Sequence, residues 1–455
     1  MWTALTAQAS GDTRERNLVQ NPSFEEVGDE GIPQGCSSWA PWEDIAPEFA
    51  VDDSIARTGR RSLRIAGAGR TGCYGYWAVH LKALPPGKFY RVSVYARTEG
   101  VPHIDRNVAV KLSWLGPGEP KELFHGRRGW QHVGRRGTEG PWHRFERVVW
   151  TPDGADTLRI ELSLRWAPEG TVWFDDLEVV EVPAPSPRPV RLWVAGFRCA
   201  DRTPMGAAKF WAEKIDEAAR AGADLIVCPE YAATNYDDPA ELLKCSSPVP
   251  GPMTDLIAAK ARQHRAFVVY NLLENDNNVL YNSSVLIDRD GHIVGKYRKV
   301  HLAIYECWAG ITPGHELPVF DTELGKIGML ICWDNTFPES VRALAQQGAE
   351  IIALSTAANF YERGIQWRAF DSAVVIAESN TGGAGSCIVN IDGTFLDAVT
   401  ERGSFASAEV DLSAKTRLPD RPQFDDFRSR VSNERRIEAY GPLTDSMPPG
   451  DTAPR

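Results

Sequence analysis

The stretch that most limits how this chain can fold is Val182 to Pro189, VPAPSPRP, with four prolines in eight residues. Proline has no amide hydrogen and holds φ at about −65°, so this run favours a stiff, extended connector that continues neither a strand nor a helix. The sequence has a different rhythm on each side of it. Before it, short alternating apolar runs recur with no amphipathic helix among them: Ser62 to Ile65, Tyr90 to Tyr95, Val108 to Trp114, Phe145 to Trp150, Leu158 to Leu164 and Val172 to Val180. Period-two runs separated by Gly, Pro and Asp clusters predict an all-β sandwich over residues 14–182. After it, strand patterns alternate with helical ones, among them Leu225 to Cys228, Met253 to His264, Lys326 to Cys332, Ser340 to Gln347 and Ile351 to Ser355. That alternation predicts a layered α/β domain over residues 190–440, with 183–189 as linker. Residues 1–13 read as a leader, and 441–455 as a disordered tail.

A length of 455 residues is too long for one ordinary core and predicts two to three domains. The formal charge of −11 argues against nucleic acid or an anionic membrane as main partner, since both require basic patches. No stretch approaches the roughly 18 consecutive apolar residues of a membrane span. Eight cysteines do not make a disulfide scaffold at this length, and no C-x-x-C pair suggests zinc. Cys36 and Cys73 are the two in the β region and would pair if that region is exported. Ala7-Gln8-Ala9 has the small-x-small form of a signal-peptidase site, but the apolar run before it is short. Localisation stays open on this feature, with a secreted or periplasmic setting favoured over the cytoplasm.

Three polar residues end or follow apolar runs of the second region. Glu230 follows LIVCP, Lys299 lies in GKYRKVHL, and Cys332 ends GMLIC ahead of WDNTFPE. A strand ending in Cys and turning toward a helix places sulfur at a strand's carboxyl end, where open α/β sheets carry their chemistry. The helix N-terminus behind it predicts a stabilised thiolate. A carboxylate takes the thiol proton, and an ammonium stabilises the oxyanion of a tetrahedral intermediate. These residue types suffice for acyl transfer through a thioester.

LIVCPEY, GKYRKVHL and GMLICWDNTFPE, in that order, resemble the Glu, Lys and Cys motifs of the nitrilase superfamily of carbon-nitrogen hydrolases. The motif residues are 69 and 33 positions apart. The resemblance implies a four-layer αββα sandwich, hydrolysis of an amide or N-carbamoyl group of a small molecule, and no catalytic cofactor. It makes Glu230 the general base, Lys299 the oxyanion stabiliser and Cys332 the nucleophile. Glu306, in AIYECWAG, matches a second glutamate that positions substrate and base, and Trp333 and Asp334 would shape the oxyanion and substrate pocket. Nitrile hydrolysis and acyl transfer to an amine are the alternatives on the same residues. The family's C-terminal arm matches Asp425 to Tyr440 and implies a homodimer or higher homo-oligomer. Two departures are Arg368-Ala369-Phe370-Asp371-Ser372, where many members read Arg-Ala-x-Glu-Asn, and the short segment NTGGAG from Asn380 to Gly385.

The β region has its own resemblance. NLVQNPSFEE at Asn17 to Glu26, the turn Gly59 to Arg64 and the closing WFDDLEVV are similar to jelly-roll, galactose-binding-like carbohydrate-binding modules. This implies a glycan partner, with Trp39, Trp42, Tyr74, Tyr76, Trp77, Trp114, Trp130 and Trp142 as aromatic candidates for stacking or core. It also implies a structural calcium held by Glu25 and Asp175. A non-catalytic glycan-binding protein is therefore the alternative from another functional class.

Overall fold

The computed structural model describes residues 16–117, 130–201, 203–230, 242–357, 361–381 and 385–414, with 428, 431, 434–436 and 439–443. Two compact units divide the chain, Met1–Pro185 with Arg417–Arg455, and Ser186–Thr416. The leader 1–13 and most of the C-terminal arm and tail lie outside the described residues.

The first unit is two antiparallel sheets. Its strands are β1 (Cys36–Trp39), β2 (Glu48–Asp52), β3 (Ser62–Ala66), β4 (Tyr74–Leu81) and β5 (Phe89–Glu99). After the single turn α1 (Ile104–Asn107) come β6 (Val108–Leu115), β7 (Trp130–Val133), β8 (Arg135–Glu139), β9 (Trp142–Trp150), β10 (Thr157–Arg165) and β11 (Thr171–Val182). One sheet runs β1-β4-β10-β6-β7 and the other β2-β3-β11-β5-β9-β8. Between the sheets, Leu158, Ile160, Leu162 and Leu164 of β10 join Val92, Val94 and Ala96 of β5 in one core. Trp77, Trp114 and Trp142 are buried, so these three aromatics are packing residues, whereas Trp42 is exposed. Trp39 stacks on Tyr76 at 5.0 Å.

Cys36 and Cys73 are both free thiols. The Cys73 sulfur accepts the Ala167 N–H at 3.3 Å, and burial pushes the Cys36 thiol up to about 12. The conditional pairing is thus replaced by two separately packed sulfurs. Near the C-terminus, Glu434 lies 3.5 Å from His132 and the Arg436 guanidinium sits 4.7 Å from the Trp166 ring. These arm residues therefore pack on the sandwich, and the α/β unit closes at Thr416 rather than near 440.

The second unit opens with β12 (Pro189–Ala195), α2 (Pro204–Arg220), β13 (Leu225–Val227), α3 (Leu242–Cys245) and α4 (Pro252–His264). Next are β14 (Phe267–Asp276), β15 (Val279–Ile287), β16 (Ile293–Arg298), α5 (Ile304–Trp308), β17 (Val319–Thr322) and β18 (Gly325–Ile331). It ends with α6 (Pro338–Gln346), β19 (Ile351–Thr356), α7 (Glu362–Ser372), β20 (Val375–Asn380), β21 (Cys387–Val389), β22 (Phe395–Ala398) and β23 (Phe405–Asp411). α2 starts where the sequence supplies a cap. Thr203 accepts the Gly206 N–H at 3.2 Å, Pro204 opens α2, and Ala208, Trp211, Ile215 and Ala218 form its buried stripe.

The strands form two six-stranded sheets, β16-β15-β14-β13-β12-β23 and β17-β18-β19-β20-β21-β22. Within them β12-β13-β14 and β18-β19-β20 are parallel. The sheets face each other through Leu192, Leu225, Val269, Met329 and Ala353, and on the other face of the second sheet Leu330 and Ile352 meet α6 and α7 through Leu344 and Ile365. On the far side of the first sheet, α2 and α4 pack Trp211 and Ile257 against Trp193, Ile226 and Val268. The order is helices, sheet, sheet, helices.

Candidate active site

The parallel strands β13 and β18 end beside one another, with Glu230 and Cys332 just past them, and the antiparallel-paired β16 brings Lys299 to the same place. Glu230 is two residues past Cys228, whose N–H continues the ladder to Val269 at 2.8 Å. Its own N–H donates to the Thr356 carbonyl at the end of β19, 3.3 Å away, which stitches the two sheets together beside the carboxylate. Lys299 follows β16, with its backbone N–H on the Asn282 carbonyl at 2.9 Å. Cys332 follows β18 with φ of 45°, a left-handed conformation that costs a non-glycine residue on the order of 1–3 kcal/mol and turns the sulfur out of the strand direction.

The ammonium of Lys299 is fully buried and donates to Glu230 Oε1 at 2.8 Å and to Glu306 Oε2 at 2.7 Å. Glu306 is held by α5: its Oε2 also accepts the Ala303 N–H at 2.7 Å, the capping geometry of a carboxylate in a first helical turn. Asn282 of β15 donates to Glu230 Oε1 at 2.9 Å and to Glu306 Oε1 at 2.8 Å. The other oxygen of Glu230, Oε2, is buried without a hydrogen bond of ordinary geometry, although the Cys332 thiol is close enough to stabilise its charge.

Burial raises the proton affinity of Glu230 and Glu306 adds to it, while Lys299 works in the opposite direction. For Lys299, burial disfavours the charge but the surrounding Glu230, Cys332 and Glu306 outweigh it, so the ammonium persists. The Cys332 thiol is pushed up to about 12, by burial first and Glu230 second, against the pull of Lys299, Thr356 and the Ala357 amide. This corrects the expectation of a thiolate. A 3₁₀ turn, Cys332–Thr336, separates the sulfur from α6, so the helix N-terminus is not directly behind it. At neutral pH the group is a thiol beside a carboxylate, suited to losing its proton as it attacks.

Asp334 has a different place from the expected pocket position. It is fully buried; Oδ2 accepts from the Tyr297 hydroxyl at 2.6 Å and the Ile331 N–H at 3.0 Å, and Oδ1 from the N–H and Nδ1 of His301, each at 2.9 Å. With four donors on its two oxygens, it braces the cysteine turn against the segment that carries Lys299. The Trp333 ring is exposed and meets Phe337 edge-on at 6.5 Å. From α7, Arg368 donates to the Asn335 and Thr336 carbonyls at 3.2 and 3.3 Å, closing the same turn. Asn282 and Arg368 were not recognised as site residues in the sequence. Of the segment NTGGAG, residues 382–384 lie outside the described residues.

Glu25 and Asp175 both clamp the turn 57–61. Glu25 Oε1 accepts the Arg60 and Arg61 N–H groups at 2.7 and 2.8 Å, in space open only because residue 59 is a glycine at φ +65°. Asp175 Oδ2 accepts the N–H groups of Arg57 and Thr58 at 2.6 and 3.2 Å, and Oδ1 that of Asp176 at 2.7 Å. Burial pushes Asp175 up to about 6. Amide hydrogens face these carboxylates where a calcium shell requires further oxygens, so the donor set as arranged does not fit that ion.

Residues 202–419, just under half of the chain, match the family model "Carbon-nitrogen hydrolase". A nitrilase of Pyrococcus abyssi is 41% identical over 147 residues, covering 31% of this chain and 55% of that protein. A citrullinase of Francisella tularensis is 35% identical over 157 residues, 32% of this chain and 53% of that protein. An N-carbamoylputrescine amidase of Solanum lycopersicum is 35% identical over 170 residues, 35% of this chain and 56% of that protein. The chain spans about half the length of these curated relatives.

Proposed function

We propose that the α/β unit hydrolyses a non-peptide carbon-nitrogen bond of a small-molecule amide or N-carbamoyl compound, with Cys332 as nucleophile and release of ammonia or an amine. The observation that carries this reading is the buried ammonium of Lys299 held between Glu230 and Glu306, with the Cys332 thiol within electrostatic reach of both Lys299 and Glu230. Burying one cation between two carboxylates is costly and contributes little stability of its own, so it points to chemistry.

The steps follow from the positions. As the sulfur attacks the substrate carbonyl carbon, the thiol proton passes to Glu230 Oε2 and the carbonyl electron pair moves onto oxygen. Lys299, with two hydrogens committed to the glutamates, has its third for that oxyanion, and the Trp333 amide supplies a second donor. Glu230 then returns its proton to the leaving nitrogen as the C–N bond breaks, leaving a thioester. Water adds to the thioester with Glu230 again taking a proton, and collapse releases the carboxylic or carbamic acid and the thiol.

The names of the relatives span nitriles, citrulline and a carbamoyl amine, and a thiol beside a carboxylate and an ammonium can act on all three. A panel of amides, N-carbamoyl amines and nitriles assayed for ammonia release separates them. Turnover of amides or carbamoyl compounds over nitriles is the expected result. Turnover of nitriles alone would replace this reading, and no turnover of any member, with glycan binding detected, would favour a binding protein.

A further inference from the structure

Asn282 contacts both glutamates and neither Lys299's side chain nor the thiol by any hydrogen bond among the described residues. Its amide nitrogen splits its two hydrogens, one to Glu230 Oε1 and one to Glu306 Oε1. Its oxygen accepts from Asn271 Nδ2 at 3.0 Å, and Asn271 Nδ2 is also 3.2 Å from Ser284 Oγ. All five side chains of this network, Ser284, Asn271, Asn282, Glu230 and Glu306, are buried. Reversing the Asn282 amide would set its oxygen against two carboxylate oxygens and its NH₂ against that of Asn271, so one orientation alone satisfies the network.

The donors are shared unequally. Glu306 receives Lys299, the Ala303 amide and Asn282, with hydrogen bonds on both oxygens. Glu230 receives Lys299 and Asn282, both on Oε1, and its Oε2 remains for the thiol. We propose that Asn282 is a positioning residue that assigns the proton-accepting role to Glu230, by tying off one oxygen of each glutamate so that Glu230 Oε2 is the basic oxygen left toward Cys332. Without those two hydrogens, neighbouring carboxylates stabilise one another's protonated form, and a proton shared between Glu230 and Glu306 leaves the base occupied to higher pH. Asn271 acts one step further out, by holding the amide in its working orientation.

The inference rests on the thiol-glutamate reading above, and the test separates the two. Cys332 alkylation by iodoacetamide, followed by mass analysis of the Cys332 peptide across acid to neutral pH, reports proton removal from the thiol without any assumption about substrate. Asn282→Asp keeps the shape but cannot donate when ionised. The expected result is an acid limb moved up by about one pH unit, which lowers the rate on that limb by about tenfold. Asn271→Ala is expected to move the limb the same way by less, and it carries the same test should Asn282→Asp fail to fold. A slower rate with an unmoved limb in folded variants would make Asn282 a packing residue and overturn the proposal. A wild-type profile with no acid limb would overturn the thiol-glutamate reading, and this inference with it.

Discussion

The Lys299 ammonium stands 2.8 Å from the Glu230 carboxylate, with both side chains wholly removed from solvent. Such a pair is held together by its geometry, and removing one partner leaves the other as an uncompensated buried charge.

Lys299→Met is therefore expected to cost about 3–5 kcal/mol in urea unfolding and to lower turnover by more than about a hundredfold, the scale of a lost oxyanion donor. A folded variant with near-normal turnover would make the lysine structural.

Asp334→Asn tests the brace behind the cysteine. The amide offers one accepting oxygen where four hydrogens from Tyr297, Ile331 and His301 converge. Stability should fall by about 1–3 kcal/mol for the unsatisfied donors, with a drop in kcat larger than the change in KM. An unchanged unfolding midpoint would contradict the assignment.

The motifs were legible because two of the three side chains close an apolar run, LIVC before Glu230 and GMLI before Cys332, while Lys299 follows the strand end KYR. The helix α5 was not, since five residues show no period, and Glu306 was found by resemblance alone. Asn282 was hidden in YNSSVLI, where it reads as a polar position of a strand; its role exists only because β15 lies across from β14 and near the end of β13. The thiolate expectation failed for a related reason. Sequence gives the order strand, cysteine, helix, but not the intervening turn or the burial that sets the thiol's proton affinity. In the sandwich, β4 (YGYWAVHL) was passed over as aromatic composition, because its central residues are apolar on both faces and do not alternate.

Glu378 of β20 is buried, with the Cys387 thiol 3.9 Å away, and burial pushes it up to about 8 from an ordinary value of 4.5. A folded-state value above the unfolded one means the folded protein prefers the protonated form. Its contribution is fully present below about pH 4.5 and is lost as pH rises through about 8. Urea midpoints measured on both sides of that upper value should fall more steeply for the wild type than for Glu378→Gln, by a few kcal/mol at most. Parallel curves would show that Glu378 is ionised throughout.

Cys36 and Cys73 should each take one alkylating group in unfolded, unreduced protein, and the intact mass should not change on reduction. Resistance of both to alkylation until reductant is added would place a bond where the structure has two thiols.

The most direct test of the central claim is ammonia release by Cys332→Ala on the best substrate of the amide and carbamoyl panel. With an unfolding midpoint close to the wild type, the variant should release none above background, since no other side chain among the described residues joins a nucleophile to the Glu230–Lys299 pair. Undiminished release by the folded variant would contradict the thioester mechanism.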